Sequence, residues 1–172
     1  MHTRAITLGI AVTASLLVAA CGSSSDTTAT TTPKLVNYKA TLLGVNERPT
    51  PNTSPGQGTF TATLDTTTGV FTWSVTYFGL QTNATLSHIH GPGTQDQAVG
   101  VILDFSKFGS PTFTPGATTG AFGGSITLNS TVITGQVTGD SLHKLMDAGL
   151  TYANVHSTQF PGGEIRGQIV KQ

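Results

Sequence analysis

The chain has 172 residues, a length that one domain accommodates. Charged residues make up 9% of it, against roughly a quarter in an ordinary soluble domain, and eight Lys plus Arg balance eight Asp plus Glu. A nucleic-acid partner would require a basic stripe that this composition cannot build, and solubility falls instead to Thr, Ser, Asn and Gln.

In chain order, residues 1–20 read as a signal peptide. Arg4 supplies the positive start, Ala5 to Leu17 is an apolar run too short to span a bilayer, and small residues follow. Cys21 is the only cysteine, so it has no internal disulfide partner. "LVAAC" resembles the bacterial lipobox, which implies a lipid on Cys21, export, and a place in the cell envelope on the extracytoplasmic side. By the same resemblance, Gly22 after the cysteine points to the outer membrane in a Gram-negative organism. The membrane, through the lipid, is then the expected partner; no protein partner is legible. Residues 22–33, "GSSSDTTATTTP", hold nothing apolar larger than alanine and read as a tether reaching on the order of 20 Å. The folded domain is expected over 34–172.

Within it, "LVNYKATLLG" (35–44) reads as a strand. "TFTATLD" (59–65) and "VFTWSVTYFGL" (70–80) alternate apolar and polar residues around "TTTG", the pattern of a β-hairpin. Strands are expected over 98–105 and 120–128, with another strand or extended segment in "NSTVITGQVT". One short helix is expected over 141–148, capped by Asp140 and closed by Gly149, with Leu142, Leu145 and Met146 as its apolar stripe. "LTYANVH" (150–156) and "EIRGQIV" (164–170) read as closing strands. Seven or eight short strands with polar turns imply an all-β fold, an antiparallel β-sandwich or barrel-like structure.

The residues that could carry chemistry stand at strand ends. In "ATLSHIHGPG", His88 and His90 are two apart and share a strand face. His156 ends "YANVH" on the face of Tyr152 and Asn154. If the two strands are neighbours or face each other, three imidazoles can converge on copper or zinc. The competing reading has these histidines bonding turn backbones and nothing more. Glu164 and Arg166 also share a strand face: either a structural salt bridge or hydrogen bonds to turn carbonyls, or support for the histidines, with Glu164 or Asn154 accepting an imidazole N–H and Arg166 orienting an anion or the carboxylate. Glu47, in "NERPT", is a further candidate, set against the solvated state usual for loop carboxylates. His143, on the expected helix, reads as a surface residue, and Trp73 and the tyrosines read as core. There is no G-x-S-x-G elbow, H-E-x-x-H, Walker loop or C-x-x-C.

"NERP" (46–49), "LSHIHGPG" (86–93), "LMDAGLTYANVHS" (145–157) and "FPGGEIRGQI" (160–169) resemble, in order and spacing, the CHRD domain first described in chordin. Ser87 stands where that pattern has alanine, and Arg48 lies between Glu47 and Pro49. The resemblance implies an all-β extracytoplasmic domain, which in bacteria often stands alone behind an export signal. The H-x-H also resembles the paired copper ligands of Cu,Zn superoxide dismutase, although the zinc loop and disulfide cysteines of that enzyme have no counterpart here. The expectation is therefore a metal-binding lipoprotein, copper ahead of zinc, with enzymatic activity left open. The alternatives are a cell-surface interaction module without metal and a dismutase-like redox enzyme.

Overall fold

The computed structural model describes residues 32–108, 113, 115–129, 132–134 and 137–172. The expected leader, Cys21 and nearly all of the tether lie outside the described residues. The domain is all-β with one helix. Its strands are β1 (Leu35–Leu43), β2 (Gln57–Asp65), β3 (Val70–Phe78), β4 (Ala84–His90), β5 (Val101–Asp104), β6 (Gly120–Thr127), β7 (Val132–Thr134), β8 (Val137–Thr138), β9 (Tyr152–Ser157), β10 (Ile165–Gln168) and β11 (Val170–Lys171), with α1 (Gly139–Asp147) between β8 and β9. Nine strands form one antiparallel sheet in the order β5-β4-β9-β10-β1-β2-β3-β6, with β11 also on β1; β7 and β8 make a separate pair.

The hairpin expected from alternation is present. β2 and β3 pair from Gln57↔Phe78 to Asp65↔Val70, and Phe71, Trp73, Val75 and Tyr77 are buried while Thr72, Ser74 and Thr76 are exposed. Gly69 closes the turn at φ 74°, in the left-handed region that favours glycine. The sheet curls until its two ends meet. Phe105, just after edge strand β5, packs against Phe60 of β2, Trp73 of β3 and Phe122 of β6, with centroids 5.4–6.3 Å apart. This aromatic cluster lies in the core, and Tyr38, Leu42, Ile89, Ile102 and Ile165 share that core.

Two expected boundaries move for identifiable reasons. The helix begins earlier than 141 because Thr138, not Asp140, caps it: the Thr138 hydroxyl accepts from the Ser141 N–H at 3.2 Å. Gly149 follows the helix at φ 66°, its N–H bonded to the Met146 carbonyl, as expected of a closing glycine. The single closing strand expected over 164–170 is split at Ile169. That residue turns its N–H to the Thr151 carbonyl, so β10 pairs with β9 while β11 pairs with β1 at Tyr38 and Lys39. Among the described residues no helix is long and apolar enough to cross a membrane.

The feature that positions the site is the pairing of β4 with β9, in which Leu86, His88 and His90 stand opposite His156, Asn154 and Tyr152. On the other side, β10 sets Arg166 opposite Asn154 and Gln168 opposite Tyr152. The alternate residues Ile89, Ala153, Val155 and Ile165 face the core. Every residue of β9 is nonetheless buried, so its polar face is covered too.

Candidate metal centre

The cover is the loop between β4 and β5. Gly91 and Gly100 close it by an N–H to carbonyl bond of 3.1 Å. Arg166, 1% exposed, holds it down: Nη2 donates to the carbonyls of Thr94, Gln95 and Gln97 at 3.3, 3.2 and 2.8 Å. Gln168 Nε2 donates to the Gly93 and Gly149 carbonyls at 2.9 and 2.7 Å. The guanidinium also sits 3.4 Å from the centroid of the Tyr152 ring. A buried guanidinium is costly unless its donors are met, and carbonyls and an aromatic face meet them here.

Beneath that loop, His88, His90 and His156 converge, and one nitrogen from each ring lies within 4.8 Å of the other two. All three are buried. Two backbone carbonyls set their tautomers. His156 Nδ1–H donates to the Pro161 carbonyl at 2.9 Å, and His90 Nδ1–H donates to the Val99 carbonyl at 2.8 Å. A carbonyl only accepts, so Nε2 of both rings carries the lone pair. His88 Nδ1 lies 3.1 Å from His156 Nε2 and donates to it. His90 Nε2 is buried without a hydrogen-bond partner. The His90 ring stacks on Tyr152, 4.8 Å apart and 3° from parallel. Tyr152 OH in turn donates to the Val99 carbonyl at 3.3 Å.

Burial holds all three imidazoles neutral. It lowers His88 to about 4, with His156 and His90 adding repulsion, and lowers His90 to about 4 against the opposing Val99 bond. His156 is lowered by burial too, with the Pro161 bond opposing. Neutral, tautomer-locked nitrogens in a buried site are the state in which imidazole binds a metal. Three such donors suit zinc or copper.

The other expected site residues divide. Asn154 lies among the histidines, opposite His88, and its side chain approaches His90 closely enough to favour a proton there. Glu164 does not accept from an imidazole. Ser54 Oγ and the Gln81 N–H donate to its Oε1 at 2.5 and 2.6 Å, while its Oε2 is buried unpartnered. Glu164 therefore ties the 157–164 turn, which presents Pro161 to His156, to the loop before β2 through Ser54 and to the β3–β4 connection through Gln81. Nor does it pair with Arg166, which is spent on the carbonyls of 94–97. Glu47 is buried rather than solvated, at 4% exposure, and its carboxylate packs against Gly163. Burial pushes it up to about 7, with Arg166 and Arg48 pulling the other way. Tyr152 belongs to the polar face and not to the core, unlike Trp73, Tyr38 and Tyr77. His143 lies at the β2–β3 turn, beside Leu64 and Gly69, with Nε2 3.6 Å from Asp147 Oδ2. The carbonyls of Val99 and Pro161 leave no mark in a sequence, since every residue has one. Only the Tyr152-Asn154-His156 alternation hinted that the tyrosine belongs with the site.

The acid sensitivity of the metal-free fold follows from these shifts. His88 and His90 take up protons near 6.5 when unfolded but near 4 when folded. Their contribution is present above pH 6.5 and is lost as pH falls from there toward 4. Glu47 opposes this, because it gains its proton near 7 when folded and near 4.5 when unfolded. Urea midpoints of the metal-free protein should therefore fall between pH 6.5 and 4.5, and fall further in Glu47→Gln, which lacks the offset. A flat profile, or the same profile in both proteins, would contradict the assignment.

The family comparison agrees with the motifs. A model described as the CHRD domain matches residues 38–169, a span that contains all three histidines, Glu47, Asn154, Glu164 and Arg166. No curated protein and no solved structure matches the chain. The chain belongs to the CHRD-domain family.

Proposed function

We propose that the protein is an exported, lipid-anchored CHRD-domain lipoprotein that binds one transition-metal ion through His88, His90 and His156. The observation that carries the metal reading is the pair of carbonyl bonds from Val99 and Pro161. Each takes the N–H of one imidazole and leaves its Nε2 lone pair in the shared pocket. A ligating histidine normally gives its other N–H to an oxygen in this way. If the histidines served only to bond turns, a buried Nε2 without a partner on His90 would be a cost with no return. For His88 to bind through Nδ1 its proton shifts to Nε2 of the same ring, a change between neutral tautomers, and no charged imidazolium has to be neutralised first. Copper is favoured over zinc because nitrogen donors bind copper(II) more tightly. Support for the anchor is in the sequence: "LVAAC" ending in the single cysteine, followed by the Ser/Thr tether.

Chelator-treated protein should bind one equivalent of copper(II) or zinc(II). Unfolding free energy should rise by about 2.7 kcal/mol at a hundredfold excess over the dissociation constant. His88→Ala, His90→Ala and His156→Ala should each weaken binding by about tenfold or more, and His143→Ala should leave it unchanged. Binding well below one equivalent by the folded protein would sink the proposal. The anchor is tested separately: Cys21→Ser should shift the protein from the membrane fraction to the soluble one or block its processing. Unchanged detergent partitioning and mass would show that Cys21 carries no lipid.

A further inference from the structure

We infer that Asn154 is itself a ligand, its Oδ1 completing a donor set of three imidazole nitrogens and one amide oxygen. The inference rests on the metal-binding reading above and moves Asn154 from outer support to direct contact with the ion.

The register puts it in place. Asn154 stands directly opposite His88 on β4 and shares its face of β9 with Tyr152 and His156 on either side. The backbone beneath is held by Ser87 Oγ, which donates to the Asn154 carbonyl at 2.7 Å. The side chain, 2% exposed, approaches His90. Yet Asn154 Oδ1 and His90 Nε2 are both buried without a hydrogen-bond partner of acceptable geometry. His90 has already committed its one N–H, through Nδ1, to the Val99 carbonyl. Two acceptor lone pairs thus share a closed site, and among the described residues no protein donor reaches either. Buried acceptors are almost always met by a donor or an ion, and one cation among the three rings would meet both at once. An amide oxygen is a neutral donor, so the whole set carries no charge of its own. A carboxylate oxygen in the same place should therefore hold a divalent ion more tightly.

The competing arrangement is an amide turned by half a rotation, with Nδ2–H donating to His90 Nε2 and no contact with the ion. Titration of the full-length protein with zinc(II), and the visible absorption of its cobalt(II) form, separate the two. Asn154→Leu should bind zinc(II) about tenfold or more weakly at unchanged stoichiometry. Asn154→Asp should bind it at least as tightly as the parent and shift the cobalt(II) d–d bands, because the ligand atom itself has changed. If Asn154→Leu fails to fold, Asn154→Asp against the parent decides alone. Asn154→Asp with unshifted bands, or with binding weakened to the level of Asn154→Leu, would show that Asn154 only braces His90 and would overturn the inference. Absence of metal binding in the parent protein is a different result: it removes the three-histidine reading and this one with it.

Discussion

The burial of both faces of β9 is the constraint on which the rest of the site depends. A central strand can bury one face in the core with Ala153 and Val155 at little cost. Burying Tyr152, Asn154 and His156 on the other face requires a partner for every polar atom. The β4–β5 loop closes over them, and it stays closed because Arg166 gathers three of its carbonyls at one nitrogen. The scarcity of charge makes sense in that setting, since the few buried ionisable groups occupy specific positions. Arg166 pins the loop, Glu164 pins the opposite turn, and Glu47 lies within the field of both Arg48 and Arg166.

That enclosure gives the histidines their chemistry. Exclusion of water keeps the rings neutral, and the two carbonyls choose which nitrogen of His90 and of His156 is free. The carbonyls come from segments that Arg166 and Glu164 hold in place, so the charged residues act on the imidazoles through the backbone and not by touching them. Lysine in place of Arg166 could not reproduce this, because one ammonium lacks the planar fork that stacks on Tyr152 while donating to the loop.

Much of this was legible in the sequence, and the remainder was hidden for physical reasons. The i, i+2 spacing of His88 and His90 fixes their common face in any strand, and the alternation in residues 59–78 fixes the hairpin. The convergence of His156 with them depends on β4 lying beside β9, a pairing across 62 or more residues of chain that no local pattern encodes. Glu164 looked like a partner for an imidazole because a carboxylate is the conspicuous acceptor in a sequence. The structure uses main-chain oxygens, which a sequence cannot single out. Glu47 looked solvated because it lies in a loop, but its carboxylate is buried against Gly163, within the field of Arg48 and Arg166. Ile169 looked like part of one strand, and its backbone bond to Thr151 divides that strand in two.

The most direct measurement is a crystal structure of the protein grown with copper(II) or zinc(II), with data collected at the absorption edge of the metal. The account expects one strong anomalous peak among His88, His90 and His156, about 2.0–2.1 Å from a nitrogen of each ring. A fully folded protein with no peak there, or with its metal held elsewhere, would contradict it.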